Sequence, residues 1–179
     1  MLKHALVLVL VFVAAGIFGP CVKAQTAAPA QAAPIRVGFL TVKTGPLASG
    51  GLQMEQGLTV FFKERNNMLA GRPVELHTAD TAGNPAQART KTQELVERLN
   101  VAVLIGPLAA FEALAIDDYV RSSRTPILSV AGAEDMTQRK PNPWFVRASC
   151  TSAQPSHPLG EYAAKDLGYK RAAVIADDF

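Results

Sequence analysis

Few residues of this chain are set out for covalent chemistry. His77 and His157 stand far apart, and neither has a companion at the spacing of a metal-ligand pair. The G-x-S-x-G nucleophile elbow, the G-x-x-x-x-G-K-[ST] phosphate loop and the G-x-G-x-x-G dinucleotide fingerprint are all absent. Asp80 and Asp177-Asp178 each read either as a general base or as a solvated strand end or helix cap, and Glu134-Asp135 reads as capping or flanking a short helix. Cys150 reads as a thiol nucleophile or as a small residue near a cleft or in a core, and no His-Asn pattern accompanies it. This points away from an enzyme, and no metal or cofactor is expected. What remains is non-covalent. Residues 43–51, 106–110 and 131–133 form three loops built largely of small residues, among them Ser49, Gly50, Leu108, Ala109, Ala110, Ala131, Gly132 and Ala133. Small side chains leave backbone N–H groups open, several beside expected helix starts, and such a shelf suits a carboxylate or another anion. Any one of these loops alone also reads as a plain connection.

Strands must hold those loops. Ile35-Arg36-Val37-Gly38-Phe39-Leu40-Thr41 is a β-branched and aromatic run. Apolar residues at Met54, Leu58, Phe61 and Phe62 then fall at helical spacing, and Ala70-Gly71-Arg72-Pro73 supplies the stop. Residues 74–79 alternate as a strand. Asn84-Pro85 opens a helix with a capping side chain and a first-turn proline, and Ala88, Leu95, Val96 and Leu99 give it a buried face. Residues 101–105 are continuously apolar, as in a strand covered on both faces. A helix over about 111–122 follows, with Leu114, Tyr119 and Val120 as its contacts. Residues 126–130 and 144–148 read as strands, with one helical turn at 134–138 between them. Ser152 opens a helix that runs to Leu167, with its prolines in the first turns and Gly168 at its end. Residues 171–176 read as a last strand. Strand and helix alternate, which predicts an α/β fold: a parallel twisted sheet flanked by helices, with right-handed crossovers and the three loops along one sheet edge.

The bulk numbers agree. A chain of 179 residues that is 49% hydrophobic and 18% charged buries a core. Its net charge of +3 comes from Lys and Arg scattered along the chain, which disfavours nucleic acid as a partner. Residues 1–24 read as a secretory signal: a basic start, an apolar run too short for a comfortable span, then Val22-Lys23-Ala24 with cleavage after Ala24. Lipid attachment at Cys21 is disfavoured by Pro20, and an uncleaved anchor is a third reading. Cleavage leaves Cys150 alone, so the exported fold has no internal disulfide. Residues 25–34, rich in Ala, Pro and Gln, read as a leader.

The order of these features resembles the periplasmic substrate-binding proteins of branched-chain amino acid ABC transporters, the leucine/isoleucine/valine-binding, type I group. The residues that carry it are Ile35-Arg36-Val37-Gly38, Gly45-Pro46-Leu47-Ala48 and Gly57, then Val103-Leu104-Ile105-Gly106-Pro107, Pro126-Ile127-Leu128-Ser129 and Phe145-Val146-Arg147. Gly160-Glu161-Tyr162-Ala163 and the run from Leu167 to Ile175 complete it. The resemblance implies a two-lobed fold that closes on a small ligand and hands it to an inner-membrane ABC permease driven by an ATPase. It implies that residues 35–148 are the N-terminal lobe and 149–179 an incomplete second lobe, in a family roughly twice this length. It places Ala110, Ala131 and Ala133 where the ligand carboxylate is held, and amino-acid binders often offer serine at the first and threonine at the last. Gly50 stands where an aromatic lid is common. With hydroxyls and lid missing, the expected ligand is an organic acid, such as an aromatic or aliphatic carboxylate, with an amino acid or amino-acid-like ligand as the alternative. Ser152 and Gln154 enter the second lobe and are candidates for the cleft, while Ser152 reads equally as a helix cap. With one wall of the cleft, residues 25–179 alone are expected to bind weakly or not at all. A ligand-sensing domain of a membrane receptor or kinase is the alternative on the same fold; a DNA-binding repressor is disfavoured because the export signal sits where its DNA-binding helices would be.

Overall fold

The computed structural model describes residues 32–173 and residue 175. Six strands form one sheet: β1 (Ile35–Thr41), β2 (Met68–Leu69), β3 (Arg72–Asp80), β4 (Val103–Ile105), β5 (Ile127–Ser129) and β6 (Phe145–Arg147). Their order is β2-β3-β1-β4-β5-β6. All pairs are parallel except β2 with β3. The register sets Val37 beside Leu76 and Val103, and Leu104 beside Ile127. Three helices join the strands, α1 (Ala48–Lys63), α2 (Pro85–Gln93) and α3 (Ala110–Ser123), and α4 (Ala153–Lys165) follows the last strand. This is the expected α/β arrangement.

The core lies between the sheet and α2 and α3. Leu40, Leu104, Ile127 and Phe145 from four strands meet Ala88, Leu95, Ala113, Ile116 and Val120. Burying each large side chain stabilises the fold by roughly 1.5–3 kcal/mol. Gly38 makes room for this packing, since a Cβ there would sit 2.8 Å from Leu104 Cδ2. The Asn84 side chain accepts hydrogen bonds from the N–H groups of Ala86 and Gln87 and starts α2 ahead of Pro85, as its type predicts. The α2 helix continues as a π-helical turn over Glu94–Arg98, which carries Leu95 into the core. A second such turn, Asp135–Arg139, follows the third loop.

Three expectations change. The first helix stops at Lys63 rather than near Ala70. Asn66 and Asn67 take positive φ (52° and 53°), which asparagine tolerates better than most residues, and break the helix. Met68 and Leu69 then pair back on Pro73 and Arg72 as a small hairpin that two short runs did not announce. In α3, Leu114 is 45% exposed, and the buried line runs through Ala113, Ile116 and Val120. The helical phase is set by Ala113 facing the sheet, which turns Leu114 outward. Residues 171–173 and 175 form no strand, and Ile175 is 98% exposed. A strand needs a neighbour for its N–H and C=O groups, and none lies beside this segment among the described residues. The signal segment, its cleavage after Ala24, Cys21, and Asp177-Asp178 lie outside the described residues.

Candidate functional site

Parallel pairing brings the carboxyl ends of β1, β4 and β5 to one edge, so the three loops emerge side by side. The first loop is tied at both ends. The Thr41 hydroxyl donates to the Gly51 carbonyl at 2.9 Å. Gly51 is seated so tightly that a Cβ would lie 1.9 Å from the Val42 carbonyl oxygen. Asp80, at the end of β3, accepts from the N–H of Lys43 (2.8 Å), the hydroxyl of Thr44 (2.9 Å) and the N–H of Ala82 (2.9 Å). Burial pushes the Asp80 carboxyl up, but these hydrogen bonds outweigh it and hold it below its ordinary value. Asp80 is therefore a strand-end brace for the first loop.

The second loop begins at Gly106, with φ of +95°, where a Cβ would fall 2.0 Å from the Leu40 carbonyl oxygen. Only glycine fits both the angle and the approach. Ser129 joins the second loop to the third. Its hydroxyl donates to the Pro107 carbonyl at 2.8 Å and accepts from the Ala131 N–H at 3.0 Å. From β6, the Arg147 guanidinium donates to the carbonyls of Ala131 and Ala133 and, at 3.0 Å, to the Thr137 hydroxyl. The third loop thus has its carbonyls held from behind.

Two close approaches link the candidates. A Cβ on Gly50 would meet Leu108 Cδ2 at 3.0 Å, so the first and second loops touch there. A Cβ on Gly132 would meet the Ser152 hydroxyl at 2.4 Å, and the Ser152 N–H donates to the Gly132 carbonyl at 3.0 Å. Ser49 sits exposed in the first turn of α1. Ala110 is the first residue of α3, and Ala109 before it is buried.

The shelf is smaller than the loop composition implies. The Ala131 N–H is occupied by Ser129 and is not an open donor. The N–H groups of Ala110, Gly132 and Ala133 make no hydrogen bond among the described residues. Ser152 precedes α4, yet its hydroxyl does not cap it. Thr151 does: its hydroxyl accepts from the Gln154 N–H at 3.2 Å while the Gln154 side-chain oxygen accepts from the Thr151 N–H at 2.7 Å. This reciprocal pair is a capping box, and the T-x-x-Q spacing announces it. It turns the Gln154 oxygen back onto the chain. Cys150 is exposed, not in a core. Ser129 and Arg147 were not among the sequence candidates, because one serine or arginine at the end of a strand has no distinctive spacing. No group of three or more metal-ligating side chains occurs among the described residues.

The family described as "Periplasmic binding protein" matches residues 34–179. The chain belongs to that family. Over 154 residues it is 28% identical to a "Leu/Ile/Val-binding protein homolog 6" from Brucella abortus (strain 2308). That match covers 86% of this chain and 39% of the relative. Among solved structures it is similar to an ABC transporter substrate-binding protein from Sphaerobacter thermophilus (35% identity, TM-score 0.69, 77% of this chain and 38% of that one). It is also similar to the solute binding protein of an ABC transporter from Rhodopseudomonas palustris BisB5, solved in complex with 3,4-dihydroxy benzoic acid (30% identity, TM-score 0.69, 74% and 36%). The chain therefore spans about two fifths of these periplasmic binding proteins.

Proposed function

We propose that this chain supplies one wall of the ligand cleft of an extracytoplasmic solute-binding component of an ABC uptake system. On this reading residues 35–148 are the N-terminal lobe and residues 149–179 open a second lobe that closes over the ligand. Residues 1–24 direct export to the periplasm and are cleaved after Ala24, and an inner-membrane permease receives the ligand. The observation that carries the reading is the set of three N–H donors, at Ala110, Gly132 and Ala133, on one sheet edge beside the N-terminus of α3. Unpaired N–H groups with a helix dipole behind them attract a carboxylate.

The side chains around those donors support the ligand class. Ala110, Ala131 and Ala133 offer no hydroxyl, and Gly50 offers no aromatic lid. A carboxylate attached to an apolar body fits such a wall better than a zwitterion, which needs a partner for its ammonium group. The relative that binds 3,4-dihydroxybenzoic acid supports an aromatic carboxylate.

The test is a thermal-shift panel on a two-lobed form of the protein with benzoate, 3,4-dihydroxybenzoate, a short aliphatic carboxylate and leucine. Stabilisation by one of the carboxylates and not by leucine is the expected result. Stabilisation by leucine alone would overturn the organic-acid reading.

A further inference from the structure

Glu112 lies in the first turn of α3 and is fully buried. One carboxyl oxygen, Oε2, accepts from the Ala109 N–H at 3.4 Å. The other, Oε1, has no hydrogen-bond partner among the described residues. This is half of a capping box, because alanine at position 109 has no side-chain acceptor to return the bond. The bond fixes the peptide that immediately precedes Ala110, one of the three open donors. A buried carboxyl with one weak donor and an orphan oxygen is costly as an anion.

We propose that Glu112 is a positioning residue for the carboxylate shelf, and that it takes up a proton from solvent when an anion docks on the Ala110 N–H. The inference rests on the anion-binding reading above.

Its surroundings favour the neutral form. The Thr81 hydroxyl donates to the Thr41 carbonyl at 3.2 Å, which leaves it only a weak donor to Glu112. Asp80 is the charged group that acts on Glu112 directly, and it is negative. A cation of the first loop and one of α2 are engaged elsewhere. The Lys43 ammonium pairs with Glu55, and the Arg89 guanidinium donates to the Ala115 carbonyl. Along α3, Asp117 pairs with Arg121. Burial raises the Glu112 pKa, the Thr81 and Ala109 hydrogen bonds oppose this, and the Asp80 charge adds to it. A bound carboxylate at the head of α3 adds a second negative charge and raises it further. Below the free-state pKa Glu112 is neutral with or without ligand, and binding is strongest. Above the ligand-bound pKa it is ionised in both states, and binding is weakest. Between the two, affinity falls with pH at a limiting slope of about tenfold per unit, the uptake of one proton.

The experiment follows the amide resonances of Ala109 and Ala110, and the carboxyl of 13C-labelled Glu112, from pH 4 to 8 in the two-lobed form of the wild type and of E112Q. In parallel, the dissociation constants of benzoate and 3,4-dihydroxybenzoate are measured over the part of that range in which both ligands are fully ionised. Both amides are expected to follow the Glu112 carboxyl through one midpoint above that of free glutamate. E112Q should lose that transition and bind with a flat pH profile. Amides that titrate with Glu112 support its positioning role even if neither carboxylate binds at any pH. In that event it is the anion-binding reading that fails, and the ligand-linked proton uptake with it. Amides that ignore Glu112, or a pH slope that survives in E112Q, would overturn the proposal. Should E112Q not fold, the shared midpoint in the wild type decides alone.

Discussion

The Ser129 hydroxyl stands 2.8 Å from the carbonyl of Pro107, 22 residues earlier in sequence, and closes the gap between the second and third loops. The same hydroxyl accepts from the Ala131 N–H. One buried oxygen therefore satisfies a carbonyl in the second loop and an amide in the third. Removing it in S129A leaves two buried backbone groups without partners. The expected loss is about 1–3 kcal/mol, measured as a shift in the midpoint of urea unfolding. An unchanged midpoint would mean that water replaces the hydroxyl.

Arg147 holds the third loop through two carbonyls and the Thr137 hydroxyl. Its planar fork reaches all three from one position, which a lysine ammonium does not do. R147A and R147K are both expected to lose about 1.5–3 kcal/mol by the same unfolding measurement. Rescue by lysine would show that charge alone, without fork geometry, suffices.

Gly132 and Ser152 form a steric pair. G132A drives a methyl to 2.4 Å from the Ser152 hydroxyl, while the Ser152 Cβ lies 3.6 Å away, at ordinary contact. G132A is expected to cost about 1 kcal/mol by overpacking, and the double variant G132A/S152A to regain most of it. Additive effects in the double-mutant cycle would argue against the contact.

The Asp80 brace makes stability depend on acid. Its folded-state pKa is depressed, so its contribution is present above the unfolded value, about 3.9, and is lost as pH falls through the folded value. Wild type is therefore expected to lose stability more steeply than D80N below about pH 4. Thermal melts at half-unit steps of pH check this, and parallel curves would rule it out.

Much of this fold is readable in the chain. Asn84 before Pro85, the apolar run at 101–105 and the repeating alternation of strand and helix lead to α2, β4 and a parallel sheet. The three loops also emerge where the alternation places them. The donors inside the loops are less legible. Whether the Ala131 N–H is open depends on a serine two residues earlier whose rotamer no spacing encodes. Ser152 has the right type for a cap, but the neighbouring Thr151 has a partner three residues on and takes the role. Asn66 and Asn67 end α1 through left-handed backbone, which two asparagines permit but do not require. These misses share a cause: competition between adjacent polar residues is decided by tertiary contacts.

The α4 helix buries none of its side chains, and Leu159 and Tyr162 stand well exposed on it. An isolated helix of 13 residues is marginal in water, so a single capping box is a slender anchor. The sheet, by contrast, lies within residues 35–147 among the described residues. Within the described residues, ordering of α4 is therefore the marginal step, and limited proteolysis is expected to cut there before it cuts the sheet.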